Sequence, residues 1–316
     1  MNIKITIQHK DVLYEPPIED DVQIEWERSG TPGKLTFTVL KVSGLNFSEG
    51  DQVCFYHDNK KIFVGYVFSK SRDKKQRIKV TCYDQLRYLK NKYTYVFEKK
   101  TAAEIIKALC DDFGLNLDGM DNTNYVIPAI AEENKSALDI VLDVLEETLL
   151  NTGDMFVLYD EGGSIRVKNV ANMMSTTLIY EDSAENFDYS SSIDDETYNS
   201  IVLYYKGDDD NIKIFTASSE ATIKQWGVLR YFEEVDTPTA AQNKANALLN
   251  LYNRKTRELK VSGAFGDPSV RGGTLIPVQL NLGDISTNNY MLVEKVTHKF
   301  TRDAHTMDLT LEGGWE

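Results

Sequence analysis

The stretch Thr81-Cys82-Tyr83-Asp84-Gln85-Leu86-Arg87-Tyr88-Leu89-Lys90-Asn91-Lys92-Tyr93 closes a run of short alternating segments and decides how the chain begins. Upstream, Leu35, Phe37 and Val39 alternate with Thr36 and Thr38. Gly50-Asp51 then opens Val53 to Tyr56, followed by Ile62 to Phe68 and by Ile78, Val80 and Cys82. Period-two patterning between turn residues marks half-buried antiparallel strands. Ile3, Ile5 and Ile7 alternate in the same way, with Pro16-Pro17 and Gly30 to Gly33 as punctuation. Residues 1–96 are therefore expected to form a β-sandwich or small barrel. The basic run Lys70 to Arg77 is expected at a hairpin tip.

At Thr101 the period changes from two to 3.6. Thr101-Ala102-Ala103-Glu104 fits a capping box, in which the threonine oxygen takes a free backbone N–H and the glutamate reaches back to the cap. Ile105, Ile106, Leu109, Cys110 and Phe113 fall on one helical face, which Gly114 ends. A second helix is expected from Ser136, with Asp139 three residues on and Leu138, Val141, Leu142, Leu145 and Leu149 as its stripe, before Asn151 to Gly153. A hairpin, Met155 to Tyr159 and Ser164 to Val170, is the expected cover for both stripes, so 97–186 reads as a small α+β domain.

Alternation resumes from Phe187, with Gly207-Asp208-Asp209-Asp210-Asn211 as a hairpin loop between Ile201–Tyr205 and Ile212–Phe215. The loop lacks the alternating ligands and distal glutamate of a calcium site. Thr237-Pro238 predicts a helix start, and Ala241, Ala245, Leu248 and Tyr252 its buried stripe. Strands are expected again at Leu259–Ala264, Thr274–Leu280, Tyr290–Phe300 and Thr306–Leu311, making 187–316 a β-module with one inserted helix.

Composition narrows the function. The chain has 316 residues, 41% of them hydrophobic, and a net charge of −14 spread along its length. No basic patch of the kind that neutralises duplex phosphates is evident, so specific nucleic-acid binding is not expected. The N-terminal Met1 to Ile7 alternates like a strand and lacks the apolar core of a signal peptide, and no apolar run approaches the ~20 residues of a membrane span, so neither export by that route nor membrane insertion is expected. Cys54, Cys82 and Cys110 sit among apolar neighbours and read as buried free thiols in a reducing compartment.

Catalytic and metal signatures are lacking: there is no GxSxG, HExxH, Walker loop or GxGxxG. Cys54 and His57 are three apart, which on a strand points them to opposite faces. His298 and His305 are expected to face each other across a hairpin as a structural pair. No catalytic residue, metal ligand or cofactor is assigned. Acid pairs such as Glu146-Glu147 or Asp194-Asp195-Glu196 keep a glycosidase open, since that chemistry needs only two carboxylates a few ångströms apart.

One ordered set of segments carries a resemblance: Trp26-Glu27-Arg28, Pro32 to Phe37, Gly50 to Val53, Ile62 to Phe68 and Tyr83 to Leu89, then Ser192 to Asp195, Tyr198-Asn199, Thr297 to Phe300 and His305 to Leu309. Together they resemble the baseplate hub proteins of contractile phage tails, and more narrowly the XkdQ-type hubs of PBSX-like defective prophages and phage-tail-like bacteriocins. The resemblance implies a mainly β fold with an α+β middle, in which two tail-tube-like β-barrel or sandwich modules flank the small α+β domain. It also implies a structural virion component, assembled in the bacterial cytoplasm as a homotrimer. Such a ring would join the hexameric tail tube protein to a trimeric spike protein beside other baseplate components. The alternatives are a cell-wall peptidoglycan hydrolase at the tail tip and a sugar-binding adhesin that uses Tyr83, Tyr88, Tyr93 and Tyr95. Since Trp, Tyr and Arg concentrate at interfaces, Arg87, Tyr88, Tyr93, Tyr95, Trp226, Arg230 and Tyr231 are the expected contact residues.

Overall fold

The computed structural model describes residues 2–194, 196–207, 211–235, 237–281 and 286–313. The first part supplies β1 (Ile3–His9), β2 (Val12–Tyr14), β3 (Val22–Glu27), β4 (Lys34–Leu40), β5 (Gln52–His57), β6 (Lys60–Arg72) and β7 (Arg77–Tyr83). The middle supplies β8 (Lys92–Thr101), α1 (Ala102–Asp112), β9 (Leu117–Met120), β10 (Val126–Ser136), α2 (Ala137–Thr152), β11 (Phe156–Asp160) and β12 (Ile165–Asn169). The last part supplies β13 (Ile179–Tyr180), β14 (Asn186–Ser192), β15 (Ser200–Lys206), β16 (Ile212–Ser218), α3 (Glu220–Trp226), β17 (Arg230–Glu234), α4 (Ala241–Tyr252), β18 (Thr256–Phe265), β19 (Leu275–Asn281), β20 (Ser286–Phe300) and β21 (His305–Gly313).

Strands from the two ends of the chain meet in one 13-stranded sheet, ordered β14-β18-β21-β20-β3-β4-β7-β6-β5-β1-β2, with β19 and β13 branching from β20. Alternation sets one face inward: Val22, Ile24 and Trp26 of β3 and Leu35, Phe37 and Val39 of β4 are buried while their neighbours are half-exposed. These side chains share a single core with Val296, Phe300, Leu309 and Leu311 from the far end of the sequence. The sheet is not a closed barrel, since its order ends at β14 on one side and β2 on the other.

The join is antiparallel pairing of β3 with β20, from Glu27 opposite Lys295 to Val22 opposite Phe300. β20 is 15 residues long because it serves two neighbours on one flank, β19 through Leu292 and β3 from Lys295 onward. The change of partner falls where its register with β21 slips between Val293 and Lys295. That is the position of a bulge, and the exchange of partners uses the bend a bulge provides. Arg28 N donates to the Glu294 carbonyl at 2.8 Å, and Gly273 N donates to the Val293 carbonyl at the same distance.

In the middle part the capping chemistry forms as the sequence predicts. Thr101 and Glu104 complete a reciprocal box ahead of α1, and Ser136 caps α2 through the Asp139 N–H. Gly153 ends α2 in the left-handed region at φ 79°, which costs glycine nothing. The buried stripes of α1 and α2 pack with Phe156, Leu158, Ile165 and Val167 of the β11–β12 hairpin, as expected. β8 and β10 form a separate two-stranded ribbon, and the expected boundary at 96/97 falls inside β8.

The last part divides its strands. β14, β18, β19, β20 and β21 belong to the large sheet, while β15, β16 and β17 form a three-stranded sheet whose inner face packs on α4 around Ile201, Leu203, Ala245 and Leu248. α4 begins at Ala241, three residues past Pro238, because Ala240 takes a left-handed φ of 62° and the Thr237–Ala240 segment is spent on a turn. Asp208 to Asp210 of the predicted acidic loop lie outside the described residues, but β15 and β16 pair antiparallel on either side of it. Cys82 and Cys110 are buried free thiols; Cys54 is also free but only half-buried, on the less covered side of β5.

Candidate functional site

Three clusters concentrate the polar chemistry, and each ties together parts of the chain that are remote in sequence. The first is built on Arg271, in the loop before β19. Its guanidinium lies between two rings, 4.8 Å from the centre of Trp26 and 4.6 Å from that of Tyr159, and its Nη1 donates to the Asp160 carbonyl at 2.8 Å. Asp84, at the end of the stretch quoted above, caps the following 3-10 turn by accepting from Leu86 N at 3.0 Å, and it also accepts from Gly33 N at 2.8 Å. Gly33 is required there: a Cβ would lie 2.8 Å from the Trp26 indole nitrogen. Gln85 bridges to the middle part, donating to Asp160 Oδ2 at 2.6 Å and accepting from Asn116 N at 3.0 Å. Burial, with Asp160 nearby, holds the Asp84 carboxyl well above the ordinary aspartate range, while burial pulls Arg271 down. The hydrogen bonds from Arg271 to the Asp160 carbonyl, from Gly33 to Asp84 and from Gln85 to Asp160 tie these segments into one body.

The second cluster stands on the inner face near the β3–β20 seam. His298 Nε2 lies 2.8 Å from the Val270 carbonyl, so that nitrogen carries the proton and donates. Its Nδ1 must then accept, and His305 Nε2, 2.9 Å away, donates to it. The predicted histidine pair thus forms across the β20–β21 hairpin. His57 of β5 joins it, with its ring centroid 5.3 Å from that of His305 and its Nε2 buried without a hydrogen-bond partner. Burial, and then each neighbouring imidazole, lowers His298 to about 3 and His305 to about 4, so both are neutral at pH 7. Among the described residues no group of three His, Cys, Asp or Glu side chains is arranged to hold a metal ion.

The third is a cavity of about 300 Å³ where α2, the Arg28–Thr31 turn and the α4 end of the chain meet. Glu146, Glu196 and Glu312 line it together with Arg28, Tyr252 and Arg254. Burial and then the neighbouring Glu294 raise Glu312 to about 7, and burial raises Glu146 as well. One carboxylate from each acid pair singled out in the sequence therefore reaches the same cavity. Glu147 and Asp194 are not in its lining, and Glu147 accepts from Tyr125 Oη at 3.3 Å; Asp195 lies outside the described residues.

The expected contact residues fall into two separate groups. Arg87 lies over the Phe68 ring at 5.4 Å, and Tyr88 packs edge-on against Tyr66 at 5.7 Å. Tyr95 stacks on Phe97 and donates to Asp112 at 2.6 Å, while Tyr83 packs on Phe68; of the tyrosines considered for sugar stacking, Tyr93 is the exposed one, at 65%. In the other group, Trp226 ends α3 beside a groove of about 740 Å³, and Arg230 is exposed at the start of β17. Tyr231 is half-buried on the face toward α4, packed against Tyr198 and Tyr252 at 5.3 and 6.0 Å. The exposed aromatic of that strand is its neighbour Phe232, 64% exposed, on a face shared with Ile212 and Ile214 of β16. Sequence reading missed that patch, although the same period-two count that buries Tyr231 turns Phe232 outward.

Comparison with known proteins agrees with the fold. A 43 kDa tail protein of prophage MuSo2 from Shewanella oneidensis superposes with a TM-score of 0.73 at 12% identity, over 98% of both chains. The Bacillus subtilis (strain 168) phage-like element PBSX protein XkdQ is 29% identical over 310 residues, 95% of this chain and 94% of its own. YqbQ of the same organism is 29% identical over 302 residues, 92% of this chain and 91% of its own. The family model described as YqbQ-like matches residues 22–312, the span that holds both strands of the β3–β20 seam and all three clusters, and the chain belongs to that family.

Proposed function

We propose that this protein is a structural hub subunit of a phage-tail or tail-like baseplate, working as a trimeric ring that adapts a hexameric tail tube to a trimeric spike. The observation that carries the proposal is the β3–β20 seam. It fixes β1 to β7 and the strands β14 and β18 to β21 of the last part in one sheet over one core, so each copy holds two sets of strands in a constant relation. Three copies then offer six such sets, which is what a threefold body needs to meet a sixfold partner. Support for the setting comes from XkdQ, a protein of a phage-like element, and from the tail protein with the same fold. Native mass spectrometry of tube, hub and spike purified together tests the proposal, with three copies of this chain per ring expected.

A second reading, a peptidoglycan hydrolase, is favoured by Glu146 and Glu196 lining one cavity. Purified protein incubated with peptidoglycan separates the two. Turnover that disappears in E146Q and E196Q would support the hydrolase, and no turnover supports the structural role.

A further inference from the structure

The β6–β7 hairpin ends in a tip that is both charged and preformed. Six basic residues, Lys70, Arg72, Lys74, Lys75, Arg77 and Lys79, stand against one acidic residue between positions 70 and 79. Every residue from Ser69 to Arg77 is exposed. Asp73 stiffens the tip from within: its Oδ1 accepts from Lys75 N at 2.9 Å and from Arg77 N at 3.0 Å, and its Oδ2 takes Arg77 Nε at 2.7 Å. Lys41 N, from the segment after β4, donates to the Gln76 carbonyl and braces the turn from the side. Asp73 thus neutralises Arg77 and leaves Arg72, Lys74, Lys75 and Lys79 without ion pairs among the described residues. A rigid basic projection on a protein of net charge −14 is a surface that has yet to meet its complement.

The same chain carries an exposed acidic surface. From residue 169 to 205 there is no lysine, arginine or histidine, and seven residues are acidic. Glu181 and Asp182 lie in the short turn ahead of β14, and Glu185 follows; all three are exposed and have no ion pair among the described residues. They sit where the large sheet stops, on the approach to its edge strand β14, whereas the tip belongs to β6 and β7 on the other side of the seam. Among the described residues no ion pair joins the two patches within one copy, so neither satisfies the other internally.

We infer that the β6–β7 tip of one copy docks on the Glu181–Glu185 surface of a second copy. A contact between two different patches of identical chains is heterologous, and such contacts close into rings when the rotation allows. The inference rests on the proposed ring and names a contact within it. Exposed ion pairs are individually weak and are screened over about 8 Å at physiological salt, so the contact selects and orients neighbours more than it binds them.

The test is sedimentation velocity of the full chain at 50 and 500 mM NaCl, for the native protein, K74E/K75E, E181K/D182K and the four-fold combination. All four side chains are exposed, and unchanged circular dichroism and melting temperature confirm that each variant folds. The inference predicts that the native protein self-associates, that salt or either double reversal weakens association by about tenfold or more, and that the combination recovers it at 50 mM. Self-association indifferent to both reversals overturns this contact and leaves the ring standing. Loss in both doubles without recovery in the combination also overturns it, because the two patches would then serve different partners. A monomer under every condition overturns the contact and the ring together.

Discussion

Phe55 and Phe300 lie with ring centroids 4.8 Å apart, although their strands, β5 and β20, are separated by four others in the order of the large sheet. The sheet therefore rolls until its inner face meets itself, and this contact closes the roll without closing the hydrogen-bonded ladder. Phe300 is 1% exposed and also stacks on His305 at 4.1 Å. Phe300→Ala is expected to lower unfolding free energy by about 3 to 5 kcal/mol, because the cavity it leaves is bounded by two strand sets that cannot both relax inward. Urea unfolding with tryptophan fluorescence measures this.

Arg271 is the cation that acts on both Asp84 and Asp160, with Lys61 acting on Asp160 as well. Arg271→Ala strands two buried carboxyls and is expected to cost about 3 to 5 kcal/mol at pH 7. Arg271→Lys is expected to recover little, since an ammonium cannot lie flat between Trp26 and Tyr159 as a guanidinium does. Because the stranded carboxyls cost less once protonated, the deficit of Arg271→Ala relative to the native protein should narrow between pH 7 and pH 5. Paired melts at the two values check this.

The histidine cluster and Glu312 work in opposite pH windows. His298 and His305 have folded values of about 3 and about 4, below the ordinary 6.5, so below 6.5 the unfolded chain binds more protons and stability falls as pH drops toward 3. Glu312 has a folded value of about 7 against an ordinary 4.5, so its contribution is present below 4.5 and is lost as pH rises through 7. Melting temperature against pH should therefore fall on the acid side, and Glu312→Gln should raise it at pH 8 while leaving it unchanged at pH 4.

On β17, Tyr231 and Phe232 should separate cleanly. Tyr231→Ala removes a ring from the stack with Tyr198 and Tyr252 and is expected to cost about 1 to 3 kcal/mol. Phe232 points away from α4 and is 64% exposed, so Phe232→Ala should leave stability within about 0.5 kcal/mol. If these surfaces serve assembly, Phe232→Ala alone should yield a folded chain that is poorly incorporated into particles.

The parts legible in the sequence are those set by local chemistry. Thr101 with Glu104, Ser136 with Asp139 and Gly153 act within a few residues of themselves, and each forms as its spacing predicts. Period-two runs also identified β4, β5 and β7. What the sequence does not display is partnership across distance. Nothing near Trp26 announces that Val296 will lie opposite it, because alternating strands carry no label for their neighbours. The same holds for Arg271, because the two rings that enclose it, Trp26 and Tyr159, are remote in sequence. For the seven expected contact residues, type marks what can anchor an interface, whereas strand parity decides which side chain faces out: Tyr231 is half-buried and its neighbour Phe232 is exposed.

Whether one copy provides two near-equivalent surfaces is tested most directly by electron microscopy of the purified, assembled ring, averaged without imposed symmetry. Three copies arranged about a threefold axis, with six similar lobes around the bore, are the predicted result. A ring of six copies, a ring of three lobes, or a particle with no ring at all would contradict it.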